Sequence, residues 1–384
     1  MVRQVTGAKV SRERQRTEYR VSDDGLQLVR ADGERIHHDT FSALVEDIGP
    51  AELRRLYQDM VVVRRIDTEA TALQRQGQVA LWAPLLGQEA AQVGSARALT
   101  GPDYVFPSYR EHGVAYVRGA DPAALLRQWR GSASSSWAPS EIGMAAPAIV
   151  IGAQVLHATG YALGMKLDGS AGVTIAYFGD GATSQGDVSE AFTFAASWHV
   201  PVVFFCQNNQ WAISEPVRVQ SQLPLAERGR GFGIPGIRVD GNDVLAVLAA
   251  TRFALAQARS GGGPTLIEAV TYRMGPHTTS DDPSRYRDQA ELEEWRIKDP
   301  IERIRLLLER EGLLDEEQAA AVAAAADRVA AAVREGCINT QEPSPDSLFD
   351  HVYAEPHPLI VEQRRALAEH LASFEPTPLE GSSR

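Results

Sequence analysis

The alternation of apolar and polar positions changes character along the chain. Residues 1 to 50 are polar, carry turn signals such as Asp23-Asp24-Gly25 and Asp32-Gly33, and hold no sustained period, which predicts an N-terminal extension that packs on a neighbour. From Ala51 onward Leu53, Leu56, Met60 and Val63 recur at spacings of three and four, the mark of a helix with one buried face. A second helix is predicted over "GQEAAQVGSARAL". Between about 140 and 275 the short apolar runs "VTIAYF", "VVFFC", "GIRV" and "TLIEAVTY" alternate with helix-like segments, as in a parallel sheet with crossover helices. After Pro300 the chain turns helical and alanine-rich, as in "EEQAAAVAAAADRVAAAV", and ends in a Pro-containing tail. The expected fold is therefore α/β, a mostly parallel sheet with helices on both faces. An extension (1–50) precedes an α/β domain (51–300), and a helical C-terminal region with its tail (301–384) follows.

Composition narrows the function classes. Of the 384 residues 44% are hydrophobic and 23% charged, an ordinary globular balance. Lys plus Arg number 38 against 50 Asp plus Glu, a formal charge of -12, so no nucleic-acid footprint is expected. Cys206 and Cys337 are the only cysteines, too few for a disulfide framework or a thiolate metal site, and a reducing cytoplasm fits them. The basic N-terminus lacks an apolar stretch of signal-peptide length. No segment approaches the roughly 18 apolar residues of a membrane span, so a soluble, unprocessed chain without membrane association is expected.

Chemistry concentrates in two stretches. The strand Val173 to Phe178 runs into "GDGATSQGD", where glycines 179 and 181 allow a sharp turn and a close ligand. The next helix, with Val188, Ala191, Phe192 and Ala195 on one face, would point its N-terminus at the same place and outline an anion site. Asp180 would repel a phosphate unless a cation stood between them, which suggests Mg²⁺. The second stretch, "VPVVFFCQNNQWAIS", ends an apolar run in Asn208 and Asn209. A right-handed crossover brings the C-terminal ends of two such strands to one sheet edge. The asparagines there are better explained as neutral, hard metal ligands than as strand residues. "GDG" or "NN" alone would be only a turn. Together, with Gly179 and Asn209 30 positions apart and a helical segment between, they resemble the bipartite signature of thiamine diphosphate enzymes.

From about Leu53 onward the sequence resembles the alpha subunit of the thiamine-dependent decarboxylating component of 2-oxo acid dehydrogenase complexes. The resemblance is carried by "GQEAAQVG", "YREHG", "IGAQV", "YFGDGATSQGD", "FFCQNNQWAIS", "RVDGND" and "YRMGPHTTSDDPSRYR". It implies the thiamine diphosphate-binding fold and Mg²⁺ held by Asp180, the Asn209 side chain and the Trp211 carbonyl. Gly179 belongs to the diphosphate turn, with Gly181 and Ala182 meeting the diphosphate through backbone amides. Tyr109 and Arg110 would reach it too, the planar guanidinium being suited to a bidentate grip. Ile149 and Ile151 would hold the aminopyrimidine and the bent cofactor. His277 would be the active-site histidine, bonding near the reacting carboxylate and the diphosphate, with general-acid assistance near neutral pH. Asp281, Asp282, Tyr286 and Arg287 would order its loop. Thr278 stands where animal relatives carry a regulatory phosphorylated serine.

The resemblance also implies decarboxylation of a 2-oxo acid and transfer of the acyl group to a lipoyl-bearing acyltransferase component. This chain holds one diphosphate-binding half and no second α/β region to supply a cofactor-activating glutamate. A beta subunit is implied, in an α₂β₂ heterotetramer. "TTSDDPSRYR" and "FFCQNNQWAIS" look more like branched-chain enzymes, and "YREHG" and "IGAQV" as much like pyruvate enzymes, so branched-chain substrates are favoured, with pyruvate next.

The pattern departs from the family at two places. Gln207 stands where branched-chain relatives place an arginine near the diphosphate, and Ala148 and Ala153 replace hydroxyl residues that help bind potassium in some relatives, so no potassium is expected. A dinucleotide module would want a third glycine at Ser184 and an acidic residue where Gln207 to Asn209 stand, and fails on both. A catalytically silent regulatory subunit is opposed by the joint presence of Asp180, Asn209 and His277.

Overall fold

The computed structural model describes residues 25–147 and 149–374, so residues 1–24 of the expected extension, Ala148 and the last ten residues lie outside the description. Its centre is a parallel sheet of β1 (Tyr104–Phe106), β2 (Thr174–Gly179), β3 (Val202–Asn208), β6 (Gly236–Asp240) and β7 (Thr265–Val270), in the order β1-β2-β3-β7-β6. Between β3 and β6 a two-stranded antiparallel ribbon pairs β4 (Trp211–Ala212) with β5 (Glu215–Pro216). The four apolar runs of the sequence are strands within two residues of their expected ends. β1 escaped notice because three residues show no period. Among the described residues this is the one parallel sheet, and no helix is long and apolar enough to cross a membrane.

Side chains alternate across the strands, so both faces are buried and each strand reads as a continuous apolar run. Ile175, Tyr177, Val203, Phe205, Ile237, Val239, Ile267 and Ala269 face the larger core. Helices Pro50–Arg75, Glu89–Arg97 and Val244–Arg259 cover that face. Ala176, Phe178, Val202, Phe204, Cys206 and Leu266 face the smaller one, under helices Ala153–Leu167 and Gly186–Trp198. Leu53, Leu56, Met60 and Val63 are buried, as their spacing required. So are Val188, Ala191, Phe192 and Ala195.

Residues 25–49, grouped by sequence with the extension, sit in the main core. Leu26 bridges to Val239 beside β6, and Leu28, Val29, Phe41 and Val45 are buried. The Asp243 carboxylate, which caps helix Val244–Arg259, also accepts the backbone N–H groups of Leu28 and Val29, both at 2.6 Å. This stretch crosses the sheet edge in irregular backbone, so its buried residues follow neither helical nor strand spacing. In the C-terminal region helix Glu316–Ile338 packs Ala326, Ala330, Val333 and Cys337 inward, whereas helix Pro358–Ala372 buries no residue.

Helix Glu89–Arg97 approaches helix Val244–Arg259 closely at Gly94, where an added Cβ would stand 2.8 Å from the Val244 carbonyl oxygen and 3.0 Å from Val247 Cγ1. Gly94→Val should cost about 1–3 kcal/mol through overpacking. Urea denaturation followed by circular dichroism checks this, and an unchanged midpoint would contradict the packing described.

Candidate active site

The turn after β2 and the turn after β3 open on one cavity of about 440 Å³ at the C-terminal edge of the sheet. Its wall contains Tyr109, Arg110, Ile149, Ile151, Gly179, Asp180, Gly181, Ala182, Asn209, Trp211 and His277. The structure thus brings together all of the candidate residues, which come from separate stretches of sequence. Register explains it: β2 and β3 run parallel with Gly179 opposite Gln207, so the residues that follow each strand emerge side by side.

The two adjacent asparagines have different tasks. Asn208 is still in β3, and its Nδ2 donates to buried Glu268 at 2.8 Å, so this amide is a strand residue and not a ligand. Asn209, one step further and on the opposite side, lines the cavity and donates from Nδ2 to Gln88 at 3.2 Å. Its Oδ1 accepts only a long 3.3 Å bond from the Trp211 N–H. Two non-glycine residues with left-handed backbone, Gln210 at φ 73° and Ile213 at φ 56°, bracket the β4 residues. Such conformations cost about 1–2 kcal/mol each, and here they turn the Trp211 segment against the β2 turn. Gly181 is required at that approach, since a Cβ there would lie 2.6 Å from Ala212 Cβ.

The expected helix N-terminus is replaced by a tighter device. A 3₁₀ turn, Asp180–Ser184, intervenes before the helix begins at Gly186, and the turn lines the cavity where the helix start does not. Its backbone must leave β2 sharply beneath the ribbon, and the tighter 3₁₀ winding achieves this within five residues.

Asp180 is 1% exposed and meets only the Gln220 amide, at 3.2 Å, among side chains. Burial pushes its carboxyl up to about 6, although Arg273 and that amide pull the other way. Arg273, fully buried, donates to the Trp211 carbonyl and to the Ile213 carbonyl, each at 2.8 Å. A second lone pair remains on the Trp211 carbonyl. Arg110 donates through Nη1 to the Pro84 carbonyl and through Nη2 to the His277 carbonyl at 3.0 Å, so both terminal nitrogens of the expected diphosphate fork engage backbone.

His277 shares a 3.0 Å hydrogen bond between Nε2 and the Tyr109 hydroxyl. Burial, then Arg110 and Arg273, push its imidazole down to about 4. Two guanidinium groups and partial burial thus oppose the imidazolium and favour the neutral ring. The Asp281 carboxylate accepts from the His277 N–H at 2.8 Å and from the Tyr286 hydroxyl at 2.5 Å. Asp282 caps the turn through Ser284, and Arg287 grips the Arg273 and Met274 carbonyls. Thr278 also lines the cavity.

Three glutamines of the wall carry a signal that only their surroundings disclose. Gln88 of "GQEAAQVG", Gln154 of "IGAQV" and Gln207 each leave a buried amide atom without a partner, respectively Nε2, Oε1 and Oε1. Three such orphans on one wall mark a polar ligand, since a buried unsatisfied group costs about 1–3 kcal/mol. Gln207 donates from Nε2 to the buried Glu111 carboxylate at 2.6 Å, and Ser108 donates to the other oxygen at 2.8 Å. Burial raises the Glu111 carboxyl. Ala153 opens helix Ala153–Leu167 and offers no hydroxyl.

Residues 57–344 match the model of the dehydrogenase E1 component family. The chain belongs to that family. Among E1 relatives, the 3-methyl-2-oxobutanoate dehydrogenase subunit alpha of Mycobacterium tuberculosis is 47% identical over 352 residues, 90% of this chain and 94% of its own. The pyruvate dehydrogenase E1 component subunit alpha of Bacillus cereus is 42% identical over 294 residues, 76% of this chain and 78% of that one. Its counterpart in Staphylococcus epidermidis is 39% identical over 341 residues, 88% of this chain and 91% of that one.

Beside the cavity this E1 chain stacks His112 on Trp82 at 3.9 Å between ring centroids and sets it edge-on to Trp129, a wall residue. Burial and then Arg110 push the His112 imidazole down to about 3. The folded state therefore binds fewer protons than the unfolded chain below pH 6.5, and stability falls as pH drops toward 3. His112→Phe keeps the stack without the titration. Between pH 6.5 and 4.5 it should lose about 2 kcal/mol less stability than the parent, since the slope rises from half to nearly all of 1.36 kcal/mol per pH unit over that range. Urea titrations at both pH values measure this, and parallel losses in the two proteins would refute it.

Proposed function

We propose that the chain is the alpha subunit of a thiamine-diphosphate-dependent 2-oxo acid dehydrogenase, decarboxylating a branched-chain 2-oxo acid and passing the acyl group to a lipoyl-bearing acyltransferase component. The observation that carries the reading is the convergence of Asp180, Asn209, the Trp211 carbonyl and His277 on one cavity whose wall keeps three unpaired amide atoms. A carboxylate, an amide oxygen and a carbonyl suit a hard, oxygen-seeking cation such as Mg²⁺ and leave positions for phosphate oxygens and water. Among the described residues no group of three or more His, Cys, Asp or Glu could hold a metal ion. Thiamine diphosphate, when bound, supplies the electron sink for decarboxylation.

The chain's own residues would then bind and orient. Asp180 contributes the one charged metal ligand, and the Gly181 and Ala182 backbone meets the diphosphate. The cations of Arg110 and Arg273 keep the cavity positive for a substrate carboxylate while their nitrogens hold the Pro84, His277 and Trp211 carbonyls in place. Neutral His277, coupled to Tyr109, offers a hydrogen bond to the substrate carboxylate without a charge to desolvate. Ile149 and Ile151 are 67% and 40% exposed at the mouth, an apolar face that bound cofactor and a beta subunit would cover. An α₂β₂ assembly accounts for a chain that presents one half of a site.

The branched-chain preference is favoured by the 47% identity to a protein named for 3-methyl-2-oxobutanoate, with pyruvate as the second reading because relatives named for pyruvate reach 42%. Two or three extra carbons in a fitted pocket favour the larger acid by about 2 kcal/mol, roughly 30-fold, at 0.8 kcal/mol per buried methylene. In the enzyme reconstituted with a beta subunit, kcat/KM should be higher for 2-oxoisovalerate than for pyruvate, and the isolated chain should release no CO₂ from either. A preference for pyruvate would overturn the substrate, and turnover by the isolated chain would overturn the two-subunit reading.

Metal binding should follow the Asp180 proton. With its carboxyl at about 6, a cation competes with the proton below that pH and meets a ready carboxylate above it. Affinity for Mg²⁺ with thiamine diphosphate should fall about tenfold per pH unit below 6. Asp180→Asn should flatten that slope and weaken binding at pH 7.5 by several kcal/mol, the scale of a lost charged partner. Calorimetric titration across pH 5 to 8 reads both, and a slope retained in the variant would exclude Asp180 as the ligand.

A further inference from the structure

A second cavity, of about 680 Å³, lies away from the cofactor cavity, with no lining residue in common. Arg54 and Arg55 come from helix Pro50–Arg75, Arg97 from the end of helix Glu89–Arg97, and Gln318 and Val322 from helix Glu316–Ile338. Arg97 is matched, donating through Nε to the buried Asp59 carboxylate at 2.7 Å. Among the described residues neither of the other two guanidinium groups is hydrogen-bonded to a carboxylate. Arg54 makes one long bond, Nη1 to the Leu313 carbonyl at 3.4 Å, and exposed Arg55 acts on Asp59, one helical turn on, through its charge. Three lining guanidinium groups against one lining carboxylate leave this cavity positive on a chain whose formal charge is -12.

Arginines on a helical surface ordinarily find a carboxylate three or four positions away, as Arg65 does with Glu69 and Arg305 does with Glu309. Arg55 has Asp59 four positions on, but that carboxylate is already bonded to Arg97, and Arg54 and Arg55 both line the concavity. Planar guanidinium forks match phosphate oxygens bidentately. The remaining wall is mixed, with Tyr57, Gln58, Tyr116 and Gln318 beside Val117, Leu314 and Val322, and the volume is well beyond that of a lone inorganic anion. Pockets of about 300–1,000 Å³ with a few placed polar groups take organic ligands.

We propose that this second cavity is a binding site for a small organic ligand carrying a phosphate group, of about nucleoside-monophosphate size, with Arg54 and Arg55 on the phosphate and Val117, Leu314 and Val322 against the organic body. The site does not rest on the reading of the cofactor cavity. The test uses the full chain saturated with thiamine diphosphate and Mg²⁺ and assembled with its beta subunit, with AMP as probe, adenosine as uncharged control and inorganic phosphate as the head group alone. AMP should bind saturably, adenosine should not, and phosphate should compete. The double substitution Arg54→Ala, Arg55→Ala should weaken AMP about tenfold or more, the scale of lost charge-assisted hydrogen bonds. Gln318→Glu supplies an independent variant: Gln318 completes the capping box with Asp315, a glutamate serves there equally well, and the new charge at the cavity wall should also weaken AMP. Anion captured by the cofactor cavity would be indifferent to these substitutions. No saturable binding of AMP or phosphate, or AMP binding unmoved in both variants, overturns the proposal.

Discussion

The parallel pairing of β2 with β3 is the constraint on which the site depends. With Gly179 opposite Gln207, the chain leaves both strands at the same edge, and Asp180 and Asn209 enter the cavity from adjacent turns. Strand side chains alternate, so register decides more than proximity. Asn208 points to Glu268, and Asn209, the next residue, lines the cavity. A slip by one residue would exchange them, burying the cavity's amide oxygen and sending the structural amide into the site. The apolar residues of the strands, buried on both faces, make that slip expensive, and the Glu268 bond to Asn208 fixes the end of β3 directly.

The same burial that fixes register also sets the charges. Asp180 and Glu111 are pushed toward their protonated forms, and His277 toward its neutral form. Nearby cations do not prevent this for Asp180, because Arg110 and Arg273 direct their nitrogens to backbone carbonyls. Both fields still act at a distance in lowering His277, and that of Arg273 partly offsets the desolvation of Asp180. The folded chain thus holds an ionisable carboxylate short of counter-charge beside donors that are already committed. A divalent cation carrying an anionic ligand would resolve both conditions, supplying charge to Asp180 and an anion to the guanidinium field.

How much of this could be read beforehand depended on whether a residue's role was local. The long strands and the helix Gly186–Trp198 were legible, since period and run length are local properties. The meeting of Asp180 and Asn209 at one edge was legible because each ends a run. The tasks of Gln88, Gln154 and Glu111 were not, although they lay inside quoted motifs, because an unpaired amide is defined by neighbours distant in sequence. Glu111 meets Gln207 across 96 positions and Asn209 meets Gln88 across 121. The packing of Leu26 to Val45 was hidden for a similar reason: its partners, Val239 and Asp243, lie some two hundred residues on, and irregular backbone has no period to betray burial. The neutrality of His277 depends on two arginines and a wall, none of which its own loop discloses.

An incomplete site also explains features that would be faults in a self-sufficient protein. Ile149, Val150 and Ile151 are exposed at the cavity mouth, and Ile213, with φ 56° and 56% exposed, stands at the wall in a conformation disfavoured for a β-branched residue. Packing within this chain does not repay that strain, since the side chain of Ile213 has little to pack against. Arg273 holds the Ile213 carbonyl at 2.8 Å, so the strained turn is maintained by the same buried cation that holds the Trp211 carbonyl. Releasing the strain at Ile213 would therefore move Trp211, one of the proposed metal ligands. A surface that keeps apolar side chains outward and a strained turn tied to its ligands is one shaped for closure by another molecule, as the proposed beta subunit and cofactor would provide.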